Sequence, residues 1–165
     1  MARITFRALE LYELKLSKLP GSTEEIAKKA IYEGAKIVAD EVKKNLNALN
    51  TTTREMAIRA YSNQTPTYIT EDAKQGLIDS FGLTDIENHN GYYNTKVGFD
   101  GYNNVITKKY PKGQPNNLIA RACESGSSAM IKQPFMRTAV SASKKQAEEK
   151  MAEILSAEIK KIMEE

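Results

Sequence analysis

The stretch ESGSSAMIKQPFMRTA, residues 124–139, decides how the last third of the chain folds. A Gly-Ser-Ser loop leads into Gln133-Pro134-Phe135-Met136-Arg137, and apolar residues then recur at helical spacing. Proline is favoured at the first position of a helix, where its missing N–H is not needed. The sequence therefore predicts a long C-terminal helix that begins at Pro134, with one apolar face formed by Met136, Val140, Ala147, Met151, Leu155 and Ile162.

Phe135 has two possible roles in this stretch. Large apolar side chains are mostly core residues, so Phe135 could anchor the helix on a sheet. Alternatively, the loop from Gly126 to Gln133 is exposed and becomes ordered at a subunit contact, with Phe135 or Met136 helping to fill it. The two roles are compatible, and both stay open at this point.

A second long helix is predicted near the other end of the chain. Ser22 followed three positions later by Glu25 is a capping box. The spacing predicts a helix over 22–49 whose apolar residues recur every three or four positions, at Ile31, Ala35, Val38, Val42, Leu46 and Leu49. Upstream, Ile4 and Phe6 alternate as in a short strand, and a helical turn fits Leu9, Tyr12 and Leu16.

The middle of the chain has shorter elements. Residues 50–70 lack periodicity and predict an irregular connection with room for one short helix. Thr70 is expected to cap a helix that runs through Phe81, buries Leu77 and Ile78 and stops at Gly82.

The segment that follows is expected to form a hairpin and then another short helix. Asn90-Gly91 favours a tight turn with positive φ, and the residues after it alternate as in a strand. After a polar loop over 101–114, Asn117 is expected to cap a helix that ends near Gly126.

These elements predict an α+β fold in which a small antiparallel sheet packs against two long helices, with short helices in addition. A chain of 165 residues has the size of one domain, so residues 1–165 are expected to share one core. The single cysteine cannot form an internal disulfide, and this favours a reducing compartment such as a cytoplasm.

The sequence gives no sign of catalytic chemistry. His89, the one histidine of the chain, lies at the predicted turn, where nothing would fix its tautomer. Cys123 therefore has no second histidine that could act as its base. The carboxylates of Asp79, Asp85, Glu87 and Asp100 are scattered. Because nucleotide, redox and zinc motifs are absent, we expect neither an enzyme nor a bound metal or organic cofactor.

Nucleic acid and membrane are also disfavoured as partners. The formal charge is +3, and basic and acidic residues are interspersed along the chain. Tyrosines 92, 93, 102 and 110 could stack on bases, but few basic residues lie between them, so strand packing or protein contact explains them better. No apolar run approaches the roughly 18 residues of a spanning helix. We expect no membrane association and no specific nucleic-acid binding.

The order of the motifs resembles a phage protein family. TEDAKQGLIDSF, NTKVGFDG, NNLIARACESGSS and QPFMRTAVSASKKQAEEKM follow one another after the first long helix. This order is similar to that of the tail-component family of tailed phages and prophages, the gene-product-ten-like group related to minor tail protein Z. The resemblance covers about residues 20–163, and its most specific part is Pro134-Phe135-Met136-Arg137-Thr138-Ala139.

The resemblance marks three groups of residues. Gly76, Leu77 and Ser80 match a Thr-Gly-x-Leu-x-x-Ser pattern in which Gln75 replaces Thr. Glu124 and Gly126 match Glu-x-Gly-Thr, with Ser127 in place of Thr. Pro134, Phe135, Arg137 and Ala139 match the third element outright. By the resemblance, these residues have structural roles.

The function that the resemblance implies is assembly of a virion. Members of the family are head-tail joining or tail completion proteins at the neck of the particle. We therefore expect copies made in the bacterial cytoplasm to form a ring, hexameric by resemblance, between the head connector or stopper proteins and the tail tube or tail terminator. The candidate contact residues are Gly126, Ser127, Ser128, Met130, Ile131, Gln133, Tyr102 and Tyr110.

Two alternatives to this function stay open. The first is a tail terminator or another neck protein, a neighbouring role in the same particle. The second is a small nucleic-acid-binding protein of a mobile element, which only the basic pI of 8.8 and the tyrosines favour.

Overall fold

The computed structural model describes residues 2–4, 23–106 and 109–164. Its helices are α1 (Thr23–Asn47), α2 (Arg54–Ser62), α3 (Glu71–Ser80), α4 (Asn116–Ser125) and α5 (Met136–Glu164). Its strands are β1 (Ala2–Ile4), β2 (Thr51–Thr52), β3 (Ile69–Thr70), β4 (Phe81–Leu83), β5 (Glu87–His89) and β6 (Tyr92–Phe99). The predicted α+β class, with two long helices and a small antiparallel sheet, is confirmed.

The sheet is built around β6, the longest strand. β1, β4 and β5 all pair with β6 in antiparallel register. Val97 pairs with Ala2 in β1 and with Leu83 in β4, so these two strands lie on opposite sides of β6. The predicted turn is confirmed, because Asn90 and Gly91 have φ of 55° and 88° between β5 and β6.

The two long helices pack antiparallel to each other. Lys29 near the start of α1 forms an ion pair of 2.6 Å with Glu158 near the end of α5. At the other end of the pair, Asn45 Nδ2 donates to the carbonyl of Phe135 at 3.3 Å. A small apolar cluster lies between the two helices and consists of Ile26, Ala30, Ile31, Met151 and Leu155.

The main core lies between the helices and the sheet. Phe81 in β4 and Phe99 in β6 have ring centroids 5.3 Å apart. Phe135 meets Phe99 edge to face at 5.9 Å and is 1% exposed. Leu46 from α1 and Leu77 from α3 complete the same cluster. The prediction that Phe135 anchors the last helix on the sheet agrees with this position.

Several element boundaries differ from the prediction. α3 ends at Ser80, and Phe81 is already extended and opens β4. α4 begins at Asn116 after Pro115 and has no side-chain cap, so the expected capping by Asn117 is wrong. α5 begins at Met136, two residues later than expected, because the carbonyl of Phe135 is the first to accept a helical N–H bond, from Ala139. Pro134 therefore lies before the helix.

The segment over 50–70 is more regular than expected. It holds helix α2 and two short strands, β2 and β3, which pair in parallel. Thr70 caps α3 as predicted, since its hydroxyl accepts from the N–H of Ala73 at 3.4 Å. The expected helical turn at Leu9, Tyr12 and Leu16, the capping hydroxyl of Ser22 and the side chain of Ile162 lie outside what the structure describes.

Gly34 allows the close approach of α1 and α5. A Cβ at this position would lie 2.6 Å from Cγ and 2.8 Å from Sδ of Met151, and 3.3 Å from the carbonyl oxygen of Ala147. By contrast, a Cβ at Gly76 in α3 would make only ordinary contacts, at 3.5 Å or more. The absence of a side chain is therefore required for close helix packing at Gly34 but not at Gly76.

We expect Gly34→Ala to destabilise the protein and Gly76→Ala not to. Alanine gains up to about 1 kcal/mol of helix propensity over glycine at either site. At Gly34, overpacking against Met151 should cost about 1–3 kcal/mol and outweigh that gain. Chemical denaturation of the two variants would measure the difference, and equal stabilities would contradict the close packing of the helices.

Phe135→Ala should cost about 3–5 kcal/mol of unfolding free energy, as for other buried aromatic residues. The matched control is Tyr61→Ala, because Tyr61 is 81% exposed on α2. Thermal and chemical unfolding should show a large loss for the first variant and almost none for the second. An unchanged melting temperature for Phe135→Ala would contradict its role as an anchor of the helix and would favour the alternative role at a subunit contact.

Candidate functional site

The loop between α4 and α5, residues 126–133, is a defined structure held by its own backbone. Gly126 ends α4 with φ of 77°, and its N–H donates to Ala122 at 2.8 Å. The hydroxyl of Ser127 accepts from the N–H groups of Ala129 and Met130 at 3.2 and 3.0 Å. The N–H of Gln133 donates to the carbonyl of Cys123 at 2.7 Å. The loop is therefore closed at both ends.

The same loop is bound to the segment that carries α2. Thr67 donates its N–H to Ala129 and accepts from the N–H of Ile131, at 3.1 and 2.9 Å. The side-chain amide of Gln133 accepts from the N–H of Asn50 and donates to its carbonyl, at 2.8 and 3.0 Å. The two segments thus form one continuous surface, which we call the α2 surface (50–70 and 126–133).

The predicted contact residues of this loop differ in accessibility. Ser127 and Ser128 are exposed and available to a partner. Met130, Ile131 and Gln133 are half-buried, and Met130 packs against the main core. The loop therefore exposes Ser127, Ser128, Ala129 and Lys132, while its larger apolar side chains, Met130 and Ile131, are half-buried.

Tyr102 and Tyr110 do not join this loop. Tyr102 forms an isolated bridge with Pro115, directly before α4, whereas Gly126 follows the same helix. A helix of 10 residues is about 15 Å long, so α4 separates the two groups of predicted contact residues. Tyr102 is exposed and Tyr110 is half-buried.

Three of the nine motif residues, Leu77, Phe135 and Ala139, are buried, and several others contact neighbouring elements. Leu77 and Ala139 are fully buried in the main core. Gly76 lies against Asn103 and Asn116, and the carbonyl of Ser80 accepts from the N–H of Asp100 at 3.0 Å. Such positions favour the structural roles that the resemblance implies.

Glu124 connects α4 to the start of α5. Its carboxylate accepts from the N–H groups of Phe135, Met136 and Arg137, at 2.8, 2.8 and 3.1 Å. The guanidinium of Arg137 adds an ion pair at 3.0 Å. The first N–H groups of a helix have no partner within it, and its N-terminus carries a partial positive charge. The carboxylate of Glu124, which belongs to α4, accepts hydrogen bonds from these N–H groups and places a negative charge beside the helix N-terminus.

The ionisation of Glu124 follows from these contacts. Its side chain is only 13% exposed, and burial by itself raises the pKa of a carboxyl group. The hydrogen bonds from the backbone of Met136, from the side chain and backbone of Arg137 and from the backbone of Phe135 outweigh burial and lower the pKa below its ordinary value of 4.5. The folded state therefore favours the charged form.

We expect Glu124→Gln to lower the free energy of unfolding by about 1–2 kcal/mol at neutral pH, as loss of a helix cap does. Because the folded-state pKa is depressed, the contribution of the carboxylate is complete above the unfolded pKa. It is lost as the pH falls below about 4.5 through the folded pKa. Denaturation curves across this range should show the native protein and the variant converging in acid.

The matched control for this variant is Glu149→Gln. Glu149 lies on α5 with an exposed side chain and a weak ion pair of 3.7 Å to Lys145. Its variant should follow the native protein at every pH. A difference between native protein and Glu124→Gln that is constant from neutral to acid pH would contradict the role of the charge.

The sequence analysis did not single out the exposed apolar residues of α2. No residue of this helix is buried, and Met56, Ile58 and Tyr61 are all largely exposed. Beside the helix lies a cleft of about 520 Å³. Its lining residues are Thr51, Thr52, Thr53, Arg54, Met56, Tyr68, Thr70, Glu71 and Asp72. The available signal was three large apolar side chains within six residues, at Met56, Ile58 and Tyr61.

A second group of exposed apolar residues lies around the start of α4. Leu118 is in the first turn of the helix, and Tyr102, Val105 and Ile106 belong to the loop before it. Ile106 is 72% exposed, the highest value in this group. The described surface thus has two groups of exposed apolar side chains, one on α2 and one around the start of α4.

The groups that could carry chemistry are separate from these surfaces. Burial raises the pKa of the Cys123 thiol to about 11, with a smaller effect of Glu124, so the thiol is protonated at neutral pH. His89 is exposed and lies 3.2 Å from Glu87. Over the described ranges, no group of three or more His, Cys, Asp or Glu could hold a metal ion. None of the described helices has the length and apolar character needed to span a membrane.

Comparison with protein-family models, with curated proteins and with solved structures finds no match to this chain. The motif order and the geometry of the surfaces therefore carry the functional argument.

Proposed function

We propose that this protein is a structural component of a tailed phage or prophage virion that acts in head-tail joining or tail completion. The observation that carries the proposal is the motif order, above all Glu124 with Pro134-Phe135-Met136-Arg137. In the structure these residues meet at one junction, where Glu124 caps the helix that Phe135 anchors. The resemblance thus concerns residues that act together in this fold.

In this function, copies of the chain form a ring in the neck of the particle. One side of the ring contacts the head connector or stopper proteins, and the other contacts the tail tube or tail terminator. A protein repeated around a symmetry axis needs two different contact patches, one for each neighbour. The two exposed apolar groups, one on α2 and one around the start of α4, support this arrangement, since such residues are typical of interfaces.

Deletion of the gene in the phage tests the function. We expect filled heads and separate tails, or tails with incomplete ends, when the particles are examined by electron microscopy. A plasmid copy of the native gene should restore joined, infectious virions.

The outcomes separate the alternatives. Tails of uncontrolled length would favour a tail terminator. Tight duplex DNA binding by the purified protein at physiological salt would favour a nucleic-acid-binding protein, because dispersed positive charge gives only weak and salt-sensitive binding. Normal, infectious virions from the deletion strain would contradict a role in the neck.

A further inference from the structure

We propose that copies of this chain associate head to tail, with Ile106 of one copy seated in the cleft beside α2 of the next. The inference rests on the proposed function, because it states which surface of one copy contacts which surface of the next within the ring. It commits to a second copy of this chain as the occupant of the cleft.

The cleft has an apolar part and an acidic rim. Met56 and Tyr68 contribute apolar surface. Glu71 and Asp72, in the first turn of α3, contribute two exposed carboxylates against the single positive charge of Arg54. The hydroxyl of Thr51 donates to Glu71 at 2.8 Å and fixes one of these carboxylates at the cleft.

The segment around Ile106 has the complementary character. Val105 and Ile106 are exposed apolar residues, and Lys109 and Lys112 nearby in the chain are exposed cations. Lys109 lies with its Nζ 5.4 Å from the ring centroid of Tyr110. An exposed apolar side chain that is followed in the chain by two exposed cations complements an apolar cleft with an acidic rim.

The base of this segment is fixed to the rest of the fold. The side-chain oxygen of Asn103 accepts from the N–H groups of Val105 and Gln114, at 3.0 and 2.9 Å. The N–H of Asn103 donates to the carbonyl of Gln114 at 2.9 Å. Gly113 has φ of 97°, and a Cβ there would lie 1.9 Å from the carbonyl oxygen of Asn103. These hydrogen bonds therefore fix the backbone position at which the exposed residues Val105 and Ile106 begin.

The positions of the two patches favour a head-to-tail contact. The cleft belongs to the α2 surface, which is bound to the loop after α4, whereas Ile106 belongs to the loop before α4. Because the patches differ and each complements the other, one copy can engage a neighbour on each side. A repeated contact of this kind closes into a ring or extends as a filament, in contrast to a two-fold dimer.

Disulfide mapping tests the contact in the full-length protein. The chain has one cysteine, Cys123, which is buried, so introduced cysteines report without interference. We expect a mixture of Ile106→Cys and Met56→Cys proteins, concentrated and mildly oxidised, to give a cross-linked heterodimer. A mixture of Ile106→Cys with Lys145→Cys is the matched control, since Lys145 is exposed on α5 away from the cleft. Equal cross-linking in both mixtures would overturn the proposal.

A charge exchange adds a second readout. Lys112→Glu in the Ile106→Cys protein should remove most of the cross-linked product, and Asp72→Lys in the Met56→Cys protein should restore it. This exchange leaves the hydrogen bond between Thr51 and Glu71 in place. Melting temperatures equal to that of the native protein would show that each variant is folded. Loss without restoration in folded variants would contradict the charge pairing.

The test is independent of the gene deletion. Specific cross-linking together with normal virions from the deletion strain would support the contact and contradict the role in the neck. Unjoined heads and tails together with failure of the specific cross-link, in solution and in native particles, would support the role in the neck and overturn this contact.

Discussion

The junction at the start of α5, where the carboxylate of Glu124 caps the helix and Phe135 is buried, is the constraint on which the position of α5 depends. The carboxylate joins the last turn of α4 to the first turn of α5 through three backbone N–H groups and the side chain of Arg137. Phe135 lies at the same point and is buried against Phe99. Because the capped end and the buried ring are adjacent in sequence, they fix the position of α5 along its axis.

Much of the scaffold could be predicted because its signals are local. The apolar periodicity of the two long helices, the Thr70 cap and the Asn90-Gly91 turn each depend on residues close together in the chain, and each is confirmed. The start of α5 could not be predicted in the same way. Proline indicated position 134, but the bonds that determine the first turn come from Glu124, about ten residues earlier. Nothing in the local pattern indicates that contact.

The pairing of β2 with β3 could not be predicted for a related reason. Each strand has two residues, too few for an alternating pattern, and their pairing is parallel across the α2 segment. The candidate site was predicted in part. The loop over 126–133 was named as a contact, yet only the structure shows that it is bound to Thr67 and Asn50. By contrast, the helix predicted between Asn117 and Gly126 already separates Tyr102 from this loop, and the structure has that helix.

The division between scaffold and surface bears on how such a protein would acquire partners. The motif residues that carry the resemblance, such as Leu77, Glu124, Phe135 and Ala139, are buried or joined to other elements, so changes there alter the fold itself. The exposed apolar residues of α2 and of the loop before α4 lie outside those motifs. Since substitutions at exposed positions have little effect on folding, these surfaces can change partner while the core stays the same. Under the proposed function, the motif residues would maintain the scaffold, and the proposed choice of neighbour would depend on exposed residues such as Met56 and Ile106.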